Sequence, residues 1–127
     1  MLSDHGLGPA IHVLVERSPL TVDCDLAFED RLPPPVEAAA YFVVAEGLTN
    51  VIKYANAAKA TVSVRRRGDT VEVSVADDGI GGARIDAGSG LRGLSDRLAA
   101  LEGDLELDSP LGEGTRLSAR IPLTGTT

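Results

Sequence analysis

The sequence predicts an α+β fold, a two-layer sandwich in which helices cover one face of a mixed, mainly antiparallel sheet. Two observations lead to this prediction. Short segments with apolar–polar alternation, the period of a strand, occur in adjacent pairs, and strands adjacent in sequence favour antiparallel pairing. Helical segments come before each pair, so the order is strand, helix, two strands, loop, helix, two strands, which leaves the helices to form one layer.

A strand and a long helix are predicted in the first half of the chain. Thr21 to Leu26 alternates apolar and polar side chains. Three prolines at 33–35 then end strand pairing, and proline is tolerated in the first turn of a helix. Val36 to Ala57 is the longest segment with helical periodicity, and it predicts the main helix.

Four strands and a second helix are predicted in the second half. The strands are Ala60–Arg66, Thr70–Ala76, Asp104–Leu107 and Thr115–Ile121. Arg67-Gly68-Asp69 is a hairpin turn, and the glycine-rich segment from Asp78 to Ser89 is a loop. Leu91 to Leu101 has helical spacing, and Gly103 is predicted to cap the end of that helix.

The chain is expected to hold one folded domain, because 127 residues can bury a single core. Residues 6–16 fit either a short helix or the remnant of a linker. The predicted division is therefore a linker or short helix at 1–19, a folded domain at 20–123 and a tail at 124–127.

Composition excludes several classes of function. The net charge is −7, and aromatic residues make up 3% with no Trp. An acidic chain without aromatic platforms is not expected to bind nucleic acid or an anionic membrane. Arg65 to Arg67 is interpreted as a solvated turn. Cys24 is alone, so no intrachain disulfide can form, and no apolar run is long enough to cross a bilayer. We expect a cytoplasmic chain, whose parent protein could still be membrane-anchored.

Polar residues interrupt the long apolar helix at helical spacing. Glu46 and Asn50 share a face, and Lys53 follows on the same side. Gly47 is also unfavourable in mid-helix. This face either lines a ligand pocket or is an ordinary solvent-exposed stripe, which is the commoner situation. In a pocket, the Asn50 oxygen suits a hard cation such as Mg²⁺, Lys53 suits phosphate, and Glu46 could take a proton.

Three glycine-containing segments add to this pattern. Residues 77–82 follow a strand, where Asp77 could accept a hydrogen bond from an exocyclic amine such as that of adenine; the alternative is a tight turn with a solvated or cation-binding pair of aspartates. Gly88 to Leu94 opens the second helix, where backbone N–H groups can bind phosphate. Gly112 to Thr115 is a hairpin turn that needs no function by itself.

In combination these segments resemble the ATP-binding domain shared by gyrase, the ninety-kilodalton heat-shock chaperone, histidine kinases and the MutL mismatch-repair proteins. The matching segments are the N box at Glu46–Ala55, the first glycine box at Asp77–Gly81, the second at Gly88–Leu94 and the GxGT element at Gly112–Thr115. The second box has the GLRGL form and is similar to that of kinases of the nitrate-sensor type. The resemblance runs from about Arg31 to Leu123 and implies a Bergerat-type fold.

The resemblance implies a role for each matched residue. Glu46 would act as the base or orient the reacting groups, and Asn50 would hold Mg²⁺. Asp77 would bind the adenine amino group. The other residues implied to contact the nucleotide are Gly79 and Gly81 at adenine, Lys53 at phosphate, Gly88, Ser89, Gly90 and Leu91 in the lid and its hinge, and Thr115 on the far strand. Tyr54 stands where many members have His, so it is left out of the set.

The resemblance also implies the catalytic domain of a two-component sensor histidine kinase. It would transfer the γ-phosphate of ATP, with Mg²⁺, to a histidine on a dimerisation domain outside this chain, and a response regulator would act downstream. His5 and His12 are the only histidines, and neither is expected to be the phosphoacceptor. The chain is therefore expected to be monomeric and not to phosphorylate itself. The alternatives are an anti-sigma-factor-type serine kinase and a non-catalytic module that binds nucleotide or a partner.

Overall fold

Three helices and five strands make up the described part of the chain. The structure is a computed structural model that describes residues 6–27, 32–52, 59–80 and 90–123. In chain order the elements are α1 (Leu7–Arg17), β1 (Thr21–Ala27), α2 (Pro34–Asn50), β2 (Lys59–Arg67), β3 (Thr70–Asp77), α3 (Gly90–Ala99), β4 (Asp104–Asp108) and β5 (Thr115–Pro122). No helix within these ranges is long and apolar enough to cross a membrane.

The five strands form one mixed sheet in the order β1-β2-β3-β5-β4. β1 pairs with β2 in parallel, and the other neighbouring strands pair antiparallel. A parallel pair requires a long crossover, and α2 lies between β1 and β2 in the chain. The predicted mixed, mainly antiparallel sheet is therefore confirmed.

One face of the sheet is apolar and lies under the helices. Alternate strand residues are buried there, including Val62 and Val64 of β2 and Val73 and Val75 of β3, while the helices contribute residues such as Leu98. Each such side chain contributes about 1.5–3 kcal/mol when it is fully buried. The opposite face carries mainly small polar and charged side chains. The helix layer therefore covers one side of the sheet, as predicted.

The first helix packs into the same core. Leu7 and Ile11 are 1% and 0% exposed and belong to one hydrophobic cluster with residues of α2 and the sheet. His12 lies on the exposed side of this helix. Residues 6–16, for which the sequence allowed a short helix or a linker remnant, thus form a packed helix; the proposed domain limits at 20 and 123 stay predictions.

A buried glutamate fixes the start of α2. Glu37 is 2% exposed, and its Oε2 accepts a hydrogen bond of 3.2 Å from the backbone N–H of Leu32. That N–H belongs to the segment just before the helix, so the side chain ties the incoming chain to the first turn. The α-helix ends at Asn50, and residues 53–57 of the predicted helix lie outside the described residues.

The end of α3 corrects one prediction. Glu102, not Gly103, has the left-handed backbone, with φ 62°. The N–H groups of Glu102 and Gly103 donate to the carbonyls of Ala99 and Leu98 at 3.0 and 2.8 Å, which is the Schellman pattern. Gly103 is required for a different reason, because a β-carbon there would lie 2.6 Å from the carbonyl oxygen of Arg120.

Candidate functional site

The predicted site residues that the structure describes come from four elements. Glu46 and Asn50 lie on α2, Asp77 ends β3, Gly90 begins α3 and Thr115 begins β5. Two direct relationships link them: the Glu46 carboxylate lies against Gly90, and Thr115 is paired with Asp77 across β3 and β5. Gly79 and Leu91 are also described, whereas Lys53, Gly81, Gly88 and Ser89 lie outside the described residues.

Asp77 faces the helix layer. It follows Val73 and Val75 at the period of two that places side chains on one face of a strand, and both valines are buried beneath the helices. Gly47 of α2 is buried and packs directly on Val75, two residues before Asp77. The sequence allows this helix face to line a ligand pocket or to be an ordinary exposed stripe, and the structure explains Gly47 by this close approach of helix and strand.

The Asp77 carboxylate is fixed through one of its oxygens. Oδ1 accepts a hydrogen bond of 2.7 Å from the backbone N–H of Gly79. This hydrogen bond from the N–H two residues further along forms an Asx-turn, which holds the carboxylate in one orientation at the end of the strand. No hydrogen bond reaches Oδ2 from any residue that the structure describes. This oxygen can therefore accept a hydrogen bond from a ligand.

Asp78 has a different role from its neighbour. Its Oδ1 accepts a hydrogen bond of 3.1 Å from the backbone N–H of Lys59, and its own N–H donates to the Lys59 carbonyl at 3.3 Å. Asp78 thereby ties the end of β3 to the start of β2. Among the residues that the structure describes, no group of three or more His, Cys, Asp or Glu side chains could hold a metal ion. The cation-binding pair of aspartates that the sequence allows stays a prediction.

The turn before β5 supports the first glycine box. The N–H of Gly112 donates to the carbonyl of Ile80 at 2.7 Å. Gly114 has φ 79°, and a β-carbon there would overlap the carbonyl oxygen of Asp77. By itself this segment predicts only a hairpin turn, and the resemblance matches it to the GxGT element. Two glycines spaced as GxG beside a strand end are the signal that marks it as a support.

Thr115 extends this support into β5. It lies opposite Asp77 in the strand register, and its hydroxyl is 2.6 Å from the hydroxyl of Ser109. Ser109 begins the same turn, so this bond closes the turn on itself. The turn, the strand end and the Asp77 carboxylate therefore form one connected unit.

The amino end of α3 approaches α2 at Glu46. A β-carbon at Gly90 would lie 2.6 Å from Cδ of Glu46 and would overlap the carboxylate. Negative charge is favoured near the amino end of a helix. Further along the two helices, the Arg97 guanidinium lies 4.3 Å from the centroid of the Phe42 ring. These two contacts align α3 along α2.

Two predicted residues are placed less directly. Leu91 is 3% exposed and packs in the hydrophobic core, so its side chain does not face a ligand. Asn50 is half-buried at the end of α2, one turn beyond Glu46.

A separate groove of about 460 Å³ crosses the polar face of the sheet, between residues such as Ser63, Ser74 and Ser118. None of the predicted site residues lines this groove.

Comparisons with known proteins identify the family to which the chain is similar. The family model of histidine kinase-, DNA gyrase B- and HSP90-like ATPases matches residues 36–125. The sensor histidine kinase YxjM of Bacillus subtilis (strain 168) is 31% identical over 118 residues, which cover 91% of this chain and 29% of that protein. The oxygen sensor histidine kinase NreB of Staphylococcus carnosus (strain TM300) is 32% identical over 98 residues, covering 74% of this chain and 28% of NreB. The chain thus spans less than a third of the length of these relatives.

Solved structures show the same fold. The blue-light activated histidine kinase of Erythrobacter litoralis EL346 superposes with a TM-score of 0.74 at 24% identity, covering 93% of this chain and 41% of that chain. A structure of its histidine kinase domain gives a TM-score of 0.67 at 25% identity, covering 91% of this chain and 57% of that chain. The predicted two-layer fold is confirmed by these similarities.

Proposed function

Because the chain belongs to the family of histidine kinase-, DNA gyrase B- and HSP90-like ATPases, we propose that it is the ATP-binding catalytic domain of a sensor histidine kinase. ATP would bind over the end of β3, between α2 and the amino end of α3. The observation that carries this proposal is the Asp77 carboxylate, which is held through Oδ1 and faces the helix layer with Oδ2 available.

Adenine recognition rests on Asp77. Its Oδ2 would accept a hydrogen bond from the exocyclic amino group, while Gly79 offers a backbone without side-chain bulk to a flat ring. Thr115, paired with Asp77 across the strands, would support the ring from β5. Gly81 completes the matched first glycine box and is assigned to the same pocket.

Phosphate recognition rests on the ends of the two helices. Lys53, Gly88, Ser89 and Gly90 would surround the phosphates, and the backbone of Leu91 would add an N–H group at the start of α3. The Asn50 amide oxygen suits Mg²⁺, a hard ion that takes few protein ligands and otherwise phosphate oxygens and water. Mg²⁺ bound there would neutralise charge on the triphosphate.

The proposed reaction moves the γ-phosphoryl group to an imidazole nitrogen of a histidine on a separate dimerisation domain. The bond between the γ-phosphorus and the bridging oxygen breaks, a phosphorus–nitrogen bond forms, and ADP leaves. Glu46 would accept the proton released by the second imidazole nitrogen, or orient that ring. The rest of catalysis is positioning and charge neutralisation. We further propose a monomeric cytoplasmic domain with a response regulator downstream.

The experiment that tests nucleotide recognition is isothermal titration with ATP, with and without Mg²⁺, on Asp77→Asn and Asp78→Asn. In both variants the Asn Oδ1 can still accept the backbone hydrogen bond seen in the structure. Only in Asp77→Asn does an amide NH₂ replace Oδ2 and face the adenine amine. We expect Asp77→Asn to weaken binding by about 10-fold or more, the loss of a hydrogen bond to a charged group, and Asp78→Asn to bind like the parent chain.

Equal affinity of the two variants would contradict the adenine assignment. Absence of ATP binding by the parent chain at millimolar nucleotide would favour the interaction module. Transfer is tested with γ-labelled ATP and an added dimerisation domain that carries a phosphoacceptor histidine. Label kept stably on this chain would contradict the proposal, and label on a partner's serine would identify the serine kinase.

A further inference from the structure

Gly90 lies directly against the carboxylate of Glu46, a contact that a hinge residue does not require. A β-carbon at this position would lie 2.6 Å from both Oε1 and Cδ of Glu46, and it would overlap Oε2. All three nearest atoms belong to one carboxyl group. The space that a side chain of residue 90 would fill is therefore taken by the group proposed as the base.

The second glycine of the same helix provides a contrast. Gly93 lies three positions further along α3, and nothing comes within 4 Å of a β-carbon built there. The two glycines of the GLRGL segment thus differ in what surrounds them. Backbone flexibility and helix propensity are the same for both glycines, so neither distinguishes them. Only Gly90 contacts Glu46.

The body of α3 is held in place independently of this contact. Leu91, Leu94 and Leu98 are at most 4% exposed and pack into the core. On the outer side, the Arg97 guanidinium stacks on the Phe42 ring at 4.3 Å. A methyl group at residue 90 would therefore not push the whole helix away from α2.

The carboxyl group is the part that can move. Glu46 reaches Gly90 with the end of a flexible side chain, and rotation about its bonds relieves an overlap at little cost to the fold. A substitution at Gly90 should thus displace the carboxylate while the protein stays folded. Catalytic groups are sensitive to this, since a misplacement of about 1 Å can cost about 100-fold in rate.

We propose that Gly90 is a positioning residue for Glu46: its lack of a side chain allows the start of α3 to close on the carboxylate and sets where that carboxylate stands during phosphoryl transfer. This inference rests on the proposed function of Glu46 as base or orienting group. It assigns to Gly90 a role on the transfer step, separate from adenine binding at Asp77.

The test compares Gly90→Ala with Gly93→Ala, since both add the same methyl group to the same helix. We expect Gly90→Ala to lower the transfer rate to an added histidine domain by about 10- to 100-fold, the range for a displaced acid–base group. Its melting temperature should stay within about 4 °C of that of Gly93→Ala. Gly93→Ala should transfer like the parent chain.

Two further measurements separate positioning from a general effect. In a Glu46→Gln background, Gly90→Ala should cause little additional loss of rate, because both changes act through one group. In the second measurement, the side-chain carboxyl carbon of Glu46 is followed by ¹³C NMR and assigned from its absence in Glu46→Gln. We expect its signal to shift in Gly90→Ala and not in Gly93→Ala.

The outcomes decide between the two proposals. An unchanged Glu46 signal in Gly90→Ala, or equal transfer by the two glycine variants, would overturn the role of Gly90. A parent chain that transfers nothing would overturn the proposed function instead, and the NMR comparison would still decide whether Gly90 positions Glu46. Additive losses in the Glu46→Gln background would also count against positioning.

Discussion

Gly47 of α2 lies so close to Val75 of β3 that a β-carbon on Gly47 would come within 2.8 Å of Cβ and Cγ2 of Val75. Real β-carbons do not approach other atoms to this distance, so the helix can rest on the strand only with glycine here. The contact sets the height of Glu46, the next residue back along α2, above the end of β3. It therefore links a packing detail to the geometry of the candidate site.

Gly47→Ala should destabilise the protein. Alanine gains about 1 kcal/mol over glycine in a helix interior, but overpacking of a core costs about 1–3 kcal/mol, and here the overlapped atom is anchored to the backbone. We expect a net loss of up to about 2 kcal/mol in the free energy of unfolding, measured with urea. Gly93→Ala, in open space on α3, is the control and should be neutral or stabilising. Equal stability of the two variants would show that α2 can lift off β3 freely.

Gly114→Ala should cost more than Gly68→Ala. Both glycines have a positive φ, 79° and 59°, so both variants carry the strain of a left-handed alanine, about 1–2 kcal/mol. Only at Gly114 does the new β-carbon also overlap the Asp77 carbonyl oxygen. Denaturant unfolding should show an additional loss of about 1–3 kcal/mol, the cost of overpacking.

The same two variants also test the support that the turn gives to Asp77. We expect Gly114→Ala to weaken ATP binding in calorimetric titration, because the end of β3 must shift. Gly68→Ala lies in the distant β2–β3 turn and should bind ATP normally. If the Gly114→Ala protein had normal stability and normal ATP affinity, the proposal that this turn supports Asp77 would be contradicted.

Removing the Arg97–Phe42 stacking should loosen α3 from α2. Phe42 is 39% exposed, and exposed cation–π pairs contribute about 0.5–1 kcal/mol. A double-mutant cycle with Arg97→Ala and Phe42→Ala, followed by urea unfolding, should return a coupling energy of that size. Arg97→Lys keeps the charge and should retain part of it. A cycle with no coupling would show that the two side chains are neighbours without mutual stabilisation.

Cys24 should react slowly with alkylating reagents. Burial raises the pKa of the Cys24 thiol, and the negative charge of Asp25 adds to the rise. The folded chain then holds less of the reactive thiolate than the unfolded chain at any pH below the raised pKa. Iodoacetamide labelling, followed by mass spectrometry, should be slower in buffer than in denaturant. The difference between the two labelling rates should become smaller once the pH exceeds the raised pKa of the folded chain. Equal rates in both conditions would contradict the raised pKa.

Much of the fold could be predicted because one face of each strand is more buried than the other. Val71, Val73 and Val75 alternate with Glu72 and Ser74, so the period of two is present in the sequence itself. The predicted strands accordingly agree with the observed ones to within about two residues, the usual uncertainty of such boundaries. The ATP-binding family was predicted from four motifs together, and the comparisons confirm it.

Contacts between distant segments could not be predicted in this way. Gly47, Gly90 and Gly103 each leave room for a different partner: Val75, the Glu46 carboxylate and the Arg120 carbonyl. Local patterns carry no information about such partners, because the partner is set only when the elements pack. From the sequence, Gly47 lies on a helix face that lines either a pocket or solvent, Gly90 is implied to belong to the lid and its hinge, and Gly103 is predicted to be a cap. The structure adds one close approach at each of the three glycines.

The position of β4 at one edge of the sheet has a consequence for self-association. An edge strand offers unpaired backbone groups to which another copy can add. Asp104, Glu106 and Asp108 are all exposed on this strand and recur at every second position. If the β4 strands of two copies paired, these rows of carboxylates would come side by side, and like charges directly opposite each other destabilise a sheet. The acidic row on β4 thus discourages extension of the sheet between molecules.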